Sequence, residues 1–432
     1  MAGARPLIVA PPLPALAAPA APDDAARCAA LGAAGSRTLL IVGASLAPAA
    51  NGGPACRVEA VARPRATARV RVEVWLPARA DWSGRYYQMG NGGFAGSIHR
   101  PTLAAAAARG DAAAATDTGH VGDGFDAGWA SGRPDLVLDY AHRSIKLAAD
   151  AARSLIARYY GRPARRRYFM GCSYGGRQAL VAAARWPRDW DGVVAGAPAY
   201  RWTETLTGFA RIAHAVETGR DAATVRRTLE RAGYPVAAID PGELRRWALE
   251  PAPDGPSQRR FAVQAYRHLF GARPDWTPLD FRPARDAAPP RVRRAFAIGD
   301  LRPFLRSGGK VVGYFGGADP VLPPASAVGH WRGLSAAMGG AGRLRRSYRL
   351  FMVPGMGHCQ GGAAPHAFGQ SLSAPAARDD ARHDVRRALE RWVERGAAPD
   401  ELVAGGPDAG QGRTRVLAPF DLAAPLRRPP LD

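Results

Sequence analysis

The sequence predicts an α/β fold in which a mostly parallel, doubly wound sheet carries an inserted, mainly helical segment. Two observations predict the sheet: short apolar or alternating runs that are typical of strands, and helical apolar spacing between them. Strands that alternate with helices along a chain form parallel sheets with helices on both faces. A third observation predicts the insertion, because residues 199–296 are rich in Arg and Pro and contain no evident core strand.

The predicted elements follow one another from residue 68 to residue 395. Residues 68–76 alternate polar and apolar side chains, which is the period of a half-exposed strand. Helical apolar spacing over 139–160 stops at Gly161, ahead of Pro163. The other predicted strands are 85–89, a short one ending at Asp117, 166–170, 190–196, 310–315 and 347–353, and the other predicted helices are 102–109, 175–186, 325–338 and 380–395.

Composition excludes several classes of protein. The chain has 432 residues, of which 47% are hydrophobic and 22% are charged, so it is long enough for one large core with an insertion and too apolar for wholesale disorder. Past the N-terminus, no apolar stretch is long enough without charge or proline to cross a bilayer.

The formal net charge of +22 comes almost entirely from arginine, because Lys146 and Lys310 are the only lysines. The arginines are scattered among Ala, Gly and Pro, and no nucleic-acid recognition motif accompanies them. We therefore expect no nucleic-acid partner. At low salt, such a surface still attracts acidic ligands and aromatic carboxylates.

Residues 1–22 have features of a secretory signal. They carry an early charge at Arg5, an apolar run and small residues at 15–17 that fit an A-x-A cleavage site, although the prolines at 11, 12 and 14 leave a disordered tail as the alternative. The four cysteines are even in number and lack C-x-x-C spacing. Both features favour export, so we predict a secreted or periplasmic protein.

One short motif carries the strongest chemical signal. Gly171-Cys172-Ser173-Tyr174-Gly175 fits the G-x-S-x-G pattern, with an apolar strand before it and a helix-forming run after it. A strand that turns directly into a helix strains the serine backbone and places the hydroxyl at the helix N-terminus, where negative charge is favoured. We predict that Ser173 is a nucleophile; the alternative is a plain glycine-rich connection.

An unactivated serine needs a base and an orienting acid. In this architecture they follow in the order Ser, Asp or Glu, His, on loops at the carboxyl ends of strands. Asp319 comes directly after strand 310–315, and His358 follows strand 347–353. We predict that Ser173, Asp319 and His358 form a triad; a turn-forming Asp and a surface His are the alternatives.

Two cysteines adjoin these residues, since Cys172 precedes Ser173 and Cys359 follows His358. If the hydroxyl and the imidazole are within hydrogen-bond reach, their neighbours come within disulfide distance. We predict a Cys172–Cys359 bridge that holds the two loops together, with two unrelated buried thiols as the alternative.

Acyl transfer also needs an oxyanion hole. We predict that it consists of the Tyr174 N–H, directly after the nucleophile, and the N–H of Gly92 or Gly93 in the glycine-rich loop after strand 85–89. A nucleotide-binding loop is the weaker alternative, because the G-K-[ST] ending and the G-x-G-x-x-G spacing are absent there.

With these residues in place, the sequence resembles the tannase and feruloyl esterase family of α/β-hydrolases. The family's Cys-Ser…Asp…His-Cys arrangement falls on positions 172, 173, 319, 358 and 359. The resemblance covers residues 28–200 and 297–405, and its most specific stretches are 82–85, 90–94, 116–120, 171–178, 191–199 and 353–359.

The resemblance implies a serine esterase that hydrolyses esters of aromatic acids such as ferulate or gallate. It also implies a catalytic domain of residues 23–198 and 297–432, a lid of residues 199–296 over the acyl pocket, and a second disulfide, Cys28–Cys56. Many relatives carry cysteines and an acidic calcium-binding loop in the lid, and 199–296 has neither. We therefore expect no metal and no cofactor.

Two alternative functions stay open. One is a lipase-like or other carboxylesterase or acyl hydrolase that uses the same triad. The other is a non-catalytic protein that binds an aromatic ligand. In each case we expect a small-molecule partner and no insertion into a membrane.

Overall fold

The computed structural model describes residues 22–250, 256–283, 285–406 and 412–421. The signal-like segment predicted for residues 1–22 lies outside these residues, except for Pro22. Nine described strands form one mixed sheet in the order β1-β2-β3-β5-β4-β6-β7-β8-β9, and two more pair with each other. The strands are β1 Leu39–Pro48, β2 Pro54–Ala62, β3 Val70–Pro77, β4 Arg85–Met89, β5 Ala112–Thr116, β6 Arg166–Cys172, β7 Gly192–Gly196, β8 Lys310–Gly316, β9 Tyr348–Val353, β10 Leu402–Ala404 and β11 Arg415–Leu417.

The two halves of the sheet have different strand directions. All pairings from β5 through β4, β6, β7 and β8 to β9 are parallel, whereas β1, β2, β3 and β5 pair antiparallel. The carboxyl ends of β4, β6, β7, β8 and β9 therefore meet at one edge, which is where open α/β sheets place their functional loops.

Helices cover both faces of the sheet, as the doubly wound prediction requires. Residues of α4 and α5 belong to one buried core, and residues of α2 and α14 belong to the other. The helices are α1 Pro22–Ala30, α2 Arg100–Ala108, α3 Pro134–Leu138, α4 Ser144–Tyr160, α5 Tyr174–Arg185, α6 Trp202–Glu217, α7 Ala222–Arg231, α8 Pro241–Leu244, α9 Ser257–Gln264, α10 Pro290–Ala295, α11 Arg302–Arg306, α12 Ala325–Ala337, α13 Ala341–Arg345 and α14 Val385–Arg395.

The predicted fold class is confirmed, but local elements differ; the helix predicted over 380–395, for example, begins only at Val385, after the capping residue Asp384. The helix predicted over 139–160 begins with a π-helical turn, Asp139–Arg143, before α4. Strands β1, β2, β10 and β11 have no counterpart among the predicted elements. β1 combines a continuous apolar run with exposed side chains, because it lies at the edge of the sheet and pairs on one side only.

Helices joined by turns and irregular loops make up the described part of the stretch between β7 and β8. It contains α6 to α11 and two π-helical turns, Arg245–Leu249 and Ala265–Phe270. Part of this segment has a small core of its own, formed by Ile212, Ala215, Val225, Leu229, Tyr234, Ile239 and Ala248. Among the described helices, we find none whose length and hydropathy would let it span a bilayer.

Candidate active site

Ser173 lies in the tight turn between β6 and α5, at the carboxyl edge of the sheet. Its backbone has φ 61° and ψ −125°, a conformation that strains any residue other than glycine. The end of β7 holds this turn, because the Ser173 N–H donates to the Gly196 carbonyl at 2.9 Å. The Ala199 N–H donates to the Ser173 carbonyl at 3.2 Å. Since the serine is half-buried, it has the strained, reachable position that the motif predicts for a nucleophile.

The glycine-rich loop after β4 lies directly against this turn. A Cβ on Gly90 would be 2.6 Å from the Gly175 Cα, so only glycine permits the two backbones to approach this closely. Within the described part of the chain, the N–H groups of Gly92 and Gly93 donate to no acceptor. The Tyr174 N–H is the first of α5 and has no intrahelical partner. Unpaired backbone donors are therefore present on both elements where the oxyanion hole is predicted.

The Tyr174 side chain contributes to the core. It is fully buried and stacks on Tyr140 with ring centroids 4.3 Å apart. Arg177, also fully buried, donates to the Tyr174 hydroxyl at 3.2 Å and to the Phe296 carbonyl at 2.6 Å. These contacts fix the start of α5 and with it the direction of the Tyr174 N–H.

The side chains of His358 and Asp319 meet at the ends of β9 and β8. The His358 Nδ1 is 2.8 Å from the Asp319 Oδ2. Asp319 is completely buried, and its other oxygen accepts the N–H groups of Val321 at 2.8 Å and Leu322 at 2.9 Å. A carboxylate held in this way orients the neutral imidazole with its proton on Nδ1, which leaves Nε2 as the basic atom.

A disulfide joins the serine turn to the histidine loop. Cys172 and Cys359 are bonded, with their Cα atoms 5.9 Å apart and 187 residues between them in sequence. Because each cysteine is the chain neighbour of Ser173 or His358, the Cα atoms of those two residues lie within about 13.5 Å of each other. A second disulfide, Cys28–Cys56, ties α1 to β2. Both pairings expected from the sequence are present.

The stretch 116–120, singled out in the sequence without a role, supports the glycine-rich loop. The His120 Nε2 is 2.8 Å from the Phe94 carbonyl, and the Asn91 side chain donates to the Thr116 carbonyl at 2.8 Å. Burial lowers the pKa of His120 to about 4, because desolvation penalises the charged imidazole. The ring is therefore neutral at pH 7, and its Nε2–H donates to the loop.

We expect this support to weaken in acid. A histidine whose folded pKa lies below the unfolded value of about 6.5 contributes stability above that value and loses it as the pH falls toward 4. His142 and His330 behave alike, since burial also lowers their pKa values to about 4. Urea titrations at pH 7 and pH 5 should therefore show a lower free energy of unfolding at pH 5.

Replacing His120 with Gln isolates its share of this pH dependence. Glutamine retains an N–H donor and does not titrate, so the loss between pH 7 and pH 5 should shrink by about 1–2 kcal/mol relative to the wild type. An unchanged pH dependence in His120→Gln would contradict the role assigned to this ring.

The sequence did not single out Trp247, a half-buried residue of the π-helical turn Arg245–Leu249. Its ring centroid lies 6.4 Å from that of His358, in an edge-to-face arrangement. The surrounding stretch has no regular apolar period, so no sequence signal places this tryptophan beside the histidine.

Two further residues between β7 and β8 hold the Asp319 turn. The Tyr234 hydroxyl donates to the Val321 carbonyl at 2.8 Å, and the Gln258 amide donates to the Pro320 carbonyl at 3.1 Å. Both side chains are buried. Among the described residues, no group of three or more His, Cys, Asp and Glu side chains is placed to hold a metal ion.

Comparisons with known proteins find esterases over most of the chain. The family described as "Tannase and feruloyl esterase" matches residues 56–233 and 294–426. An uncharacterized esterase of Xanthomonas campestris pv. campestris is 29% identical over 85% of this chain and 81% of its own length. Feruloyl esterase C of Talaromyces stipitatus is 26% identical over 83% of this chain and 79% of its own. The crystal structure of feruloyl esterase B from Aspergillus oryzae shares the fold, with a TM-score of 0.79, 22% identity and coverage of 92% of this chain and 96% of that one.

Proposed function

Because the chain belongs to the tannase and feruloyl esterase family, it is a carboxylic ester hydrolase, and we propose that its substrates are esters of aromatic acids. We further propose that Ser173, His358 and Asp319 perform the reaction. One observation carries the proposal: the completely buried Asp319 contacts His358 Nδ1 at 2.8 Å, next to a disulfide that ties the histidine loop to the serine turn.

In the acylation step, the Ser173 hydroxyl attacks the ester carbonyl while His358 Nε2 takes its proton. Asp319 stabilises the imidazolium that forms. The tetrahedral oxyanion accepts hydrogen bonds from the N–H of Tyr174 and of Gly92 or Gly93, which strengthen as the charge develops. His358 then protonates the departing alcohol, and the acyl group stays on Ser173.

In the deacylation step, water takes the place of the alcohol. His358 removes a proton from the water, and the resulting hydroxide attacks the acyl carbonyl. The oxyanion is stabilised as before. Collapse of the intermediate returns the proton to Ser173 and releases the carboxylic acid.

We also propose that residues 199–296 form a lid over the acyl pocket. Three ring contacts support this role. Trp247 reaches the His358 imidazole, and the rings of Trp202 and Phe261 pack on Phe94 of the glycine-rich loop at 5.5 and 5.3 Å. The segment thus contacts both the base and the loop of the predicted oxyanion hole.

Export to an oxidising compartment, either outside the cell or in a periplasm, is the matching proposal for location. Its support is the pair of disulfides, Cys28–Cys56 and Cys172–Cys359, since cytosolic reductants keep most thiols reduced.

The substrate class is tested by comparing kcat/KM for methyl ferulate, methyl gallate and methyl butyrate, which share one alcohol and differ in the acid. We expect the highest value for one of the two aromatic-acid esters. In Trp247→Ala, kcat/KM for that ester should fall by about 3- to 10-fold, which corresponds to the free energy of one aromatic contact. The kcat/KM for p-nitrophenyl acetate should change less.

Other results would support the alternatives. A clear preference for methyl butyrate would favour a lipase-like carboxylesterase on the same triad. Binding of methyl ferulate without turnover of any ester would favour a non-catalytic binding protein.

A further inference from the structure

A cavity of about 590 Å³ lies on the α2 and α14 side of the sheet, behind the serine turn. Its lining reaches Gly171 and Cys172 but does not include the proposed triad. Apolar side chains, among them Met89, Met170 and Leu372, form much of the wall. The volume is within the range of small-molecule sites.

One charged group in this wall has no partner. Arg109 lies directly after α2, and its Nε is buried without a hydrogen-bond acceptor. In the described part of the chain, no carboxylate forms an ion pair with its guanidinium. Burial and the neighbouring Arg386 lower its pKa, as expected for a cation that is partly desolvated and not neutralised.

The other charges around the cavity are already paired. Arg386 contacts Asp384 at 2.5 Å, and Asp379 contacts Arg387 at 2.7 Å. Asp111 attracts Arg109 from outside the lining without forming an ion pair with it, and it accepts a hydrogen bond from the Ser83 hydroxyl at 2.8 Å. The lining thus holds two arginines and two aspartates, and Arg109 is the one guanidinium among them without an ion pair in the described part of the chain.

Three hydroxyl groups also line the cavity. Thr102 of α2 and Ser371 and Ser373 of the opposite wall line the same space. The two serine hydroxyls already donate to Gln360 Oε1, at 2.5 and 2.8 Å, and the Thr102 hydroxyl is 2.7 Å from His99 Nδ1. The guanidinium is therefore the donor left for a carboxylate, and the apolar wall accommodates an uncharged hydrocarbon body.

We propose that this cavity is a second binding site, separate from the triad, for a small monocarboxylate with an apolar body. The carboxylate pairs with the Arg109 guanidinium, and the body packs against Met89, Met170 and Leu372. The proposal does not depend on the role of Ser173.

Benzoate is a suitable probe, and calorimetric titration measures its binding. We expect benzoate to bind the wild type, and to bind Arg109→Gln at least about tenfold more weakly, because a charge-assisted hydrogen bond is lost. Arg158→Gln, which removes an exposed arginine on α4, should bind as the wild type does. Benzamide, which has the same shape without the charge, should bind at least about tenfold more weakly than benzoate.

Three controls separate this site from the alternatives. Arg109→Lys keeps the charge and should bind with intermediate affinity. The thermal midpoint of Arg109→Gln should not fall, because the guanidinium gives up no ion pair. Benzoate that inhibits ester turnover binds at the active site, so its inhibition constant measures that site alone. This constant should be the same in Arg109→Gln and the wild type. Benzoate binding that is equal in Arg109→Gln and the wild type, or absent from the wild type, would overturn the proposal.

Discussion

Replacing Ser173 with alanine is expected to lower kcat for ester hydrolysis by at least about 10³-fold. The variant lacks the atom that becomes acylated, and the remaining binding and oxyanion contacts supply only a small part of the rate. The fold should persist for two reasons. The backbone strain at φ 61° is the same for alanine as for serine, and the hydrogen bond to the Gly196 carbonyl involves only main-chain atoms. Steady-state kinetics with methyl ferulate and a urea titration measure the two quantities.

Ser131→Ala is the matched control. Ser131 also lies beside a histidine, with its hydroxyl 2.6 Å from the His268 Nδ1, but it is exposed and outside the proposed triad. Its removal should leave kcat within about twofold of the wild type. Near-normal turnover in Ser173→Ala, or a large loss in Ser131→Ala, would assign the nucleophile elsewhere.

The second large effect is expected from removing the disulfide beside the site. The double variant Cys172→Ala/Cys359→Ala should lose about 2–5 kcal/mol of unfolding free energy, because the open chain gains conformational entropy on unfolding. It should also lose tenfold or more in kcat, because the serine turn and the histidine loop are no longer held in one geometry. Kinetics are measured at a temperature where both proteins are folded.

Cys28→Ala/Cys56→Ala separates the two effects. This pair also joins distant elements, α1 and β2, but contacts none of the proposed catalytic residues. We expect a loss of unfolding free energy with kcat within about twofold of the wild type. Equal kcat losses in both double variants would mean that the Cys172–Cys359 bridge has no specific role at the site.

The sequence predicted the parts of the structure that depend on short-range pattern. The bounds of β4 are those expected. The turn between β6 and α5 follows from Gly171 before Ser173 and Gly175 after it. The two disulfides were also expected, one of them from the adjacency of Cys172 and Cys359 to the predicted nucleophile and base.

Contacts between distant segments could not be predicted in the same way. The edge strand β1 is a continuous apolar run, so its sequence has no alternation to mark it. Trp247 lies in a π-helical turn, which has neither the period of an α-helix nor that of a strand. Its contact with His358 follows from how the segment between β7 and β8 folds back over the sheet edge.

The convergence of Ser173, Asp319 and His358 is the central claim, and covalent labelling tests it most directly. A fluorophosphonate reacts with a serine that a neighbouring base activates, and after reduction and trypsin digestion the label is located by mass spectrometry. We predict one label per chain, on Ser173 in the peptide Tyr168–Arg177, and none in His358→Ala. A label on another residue, or equal labelling of Ser173 in His358→Ala, would contradict the claim.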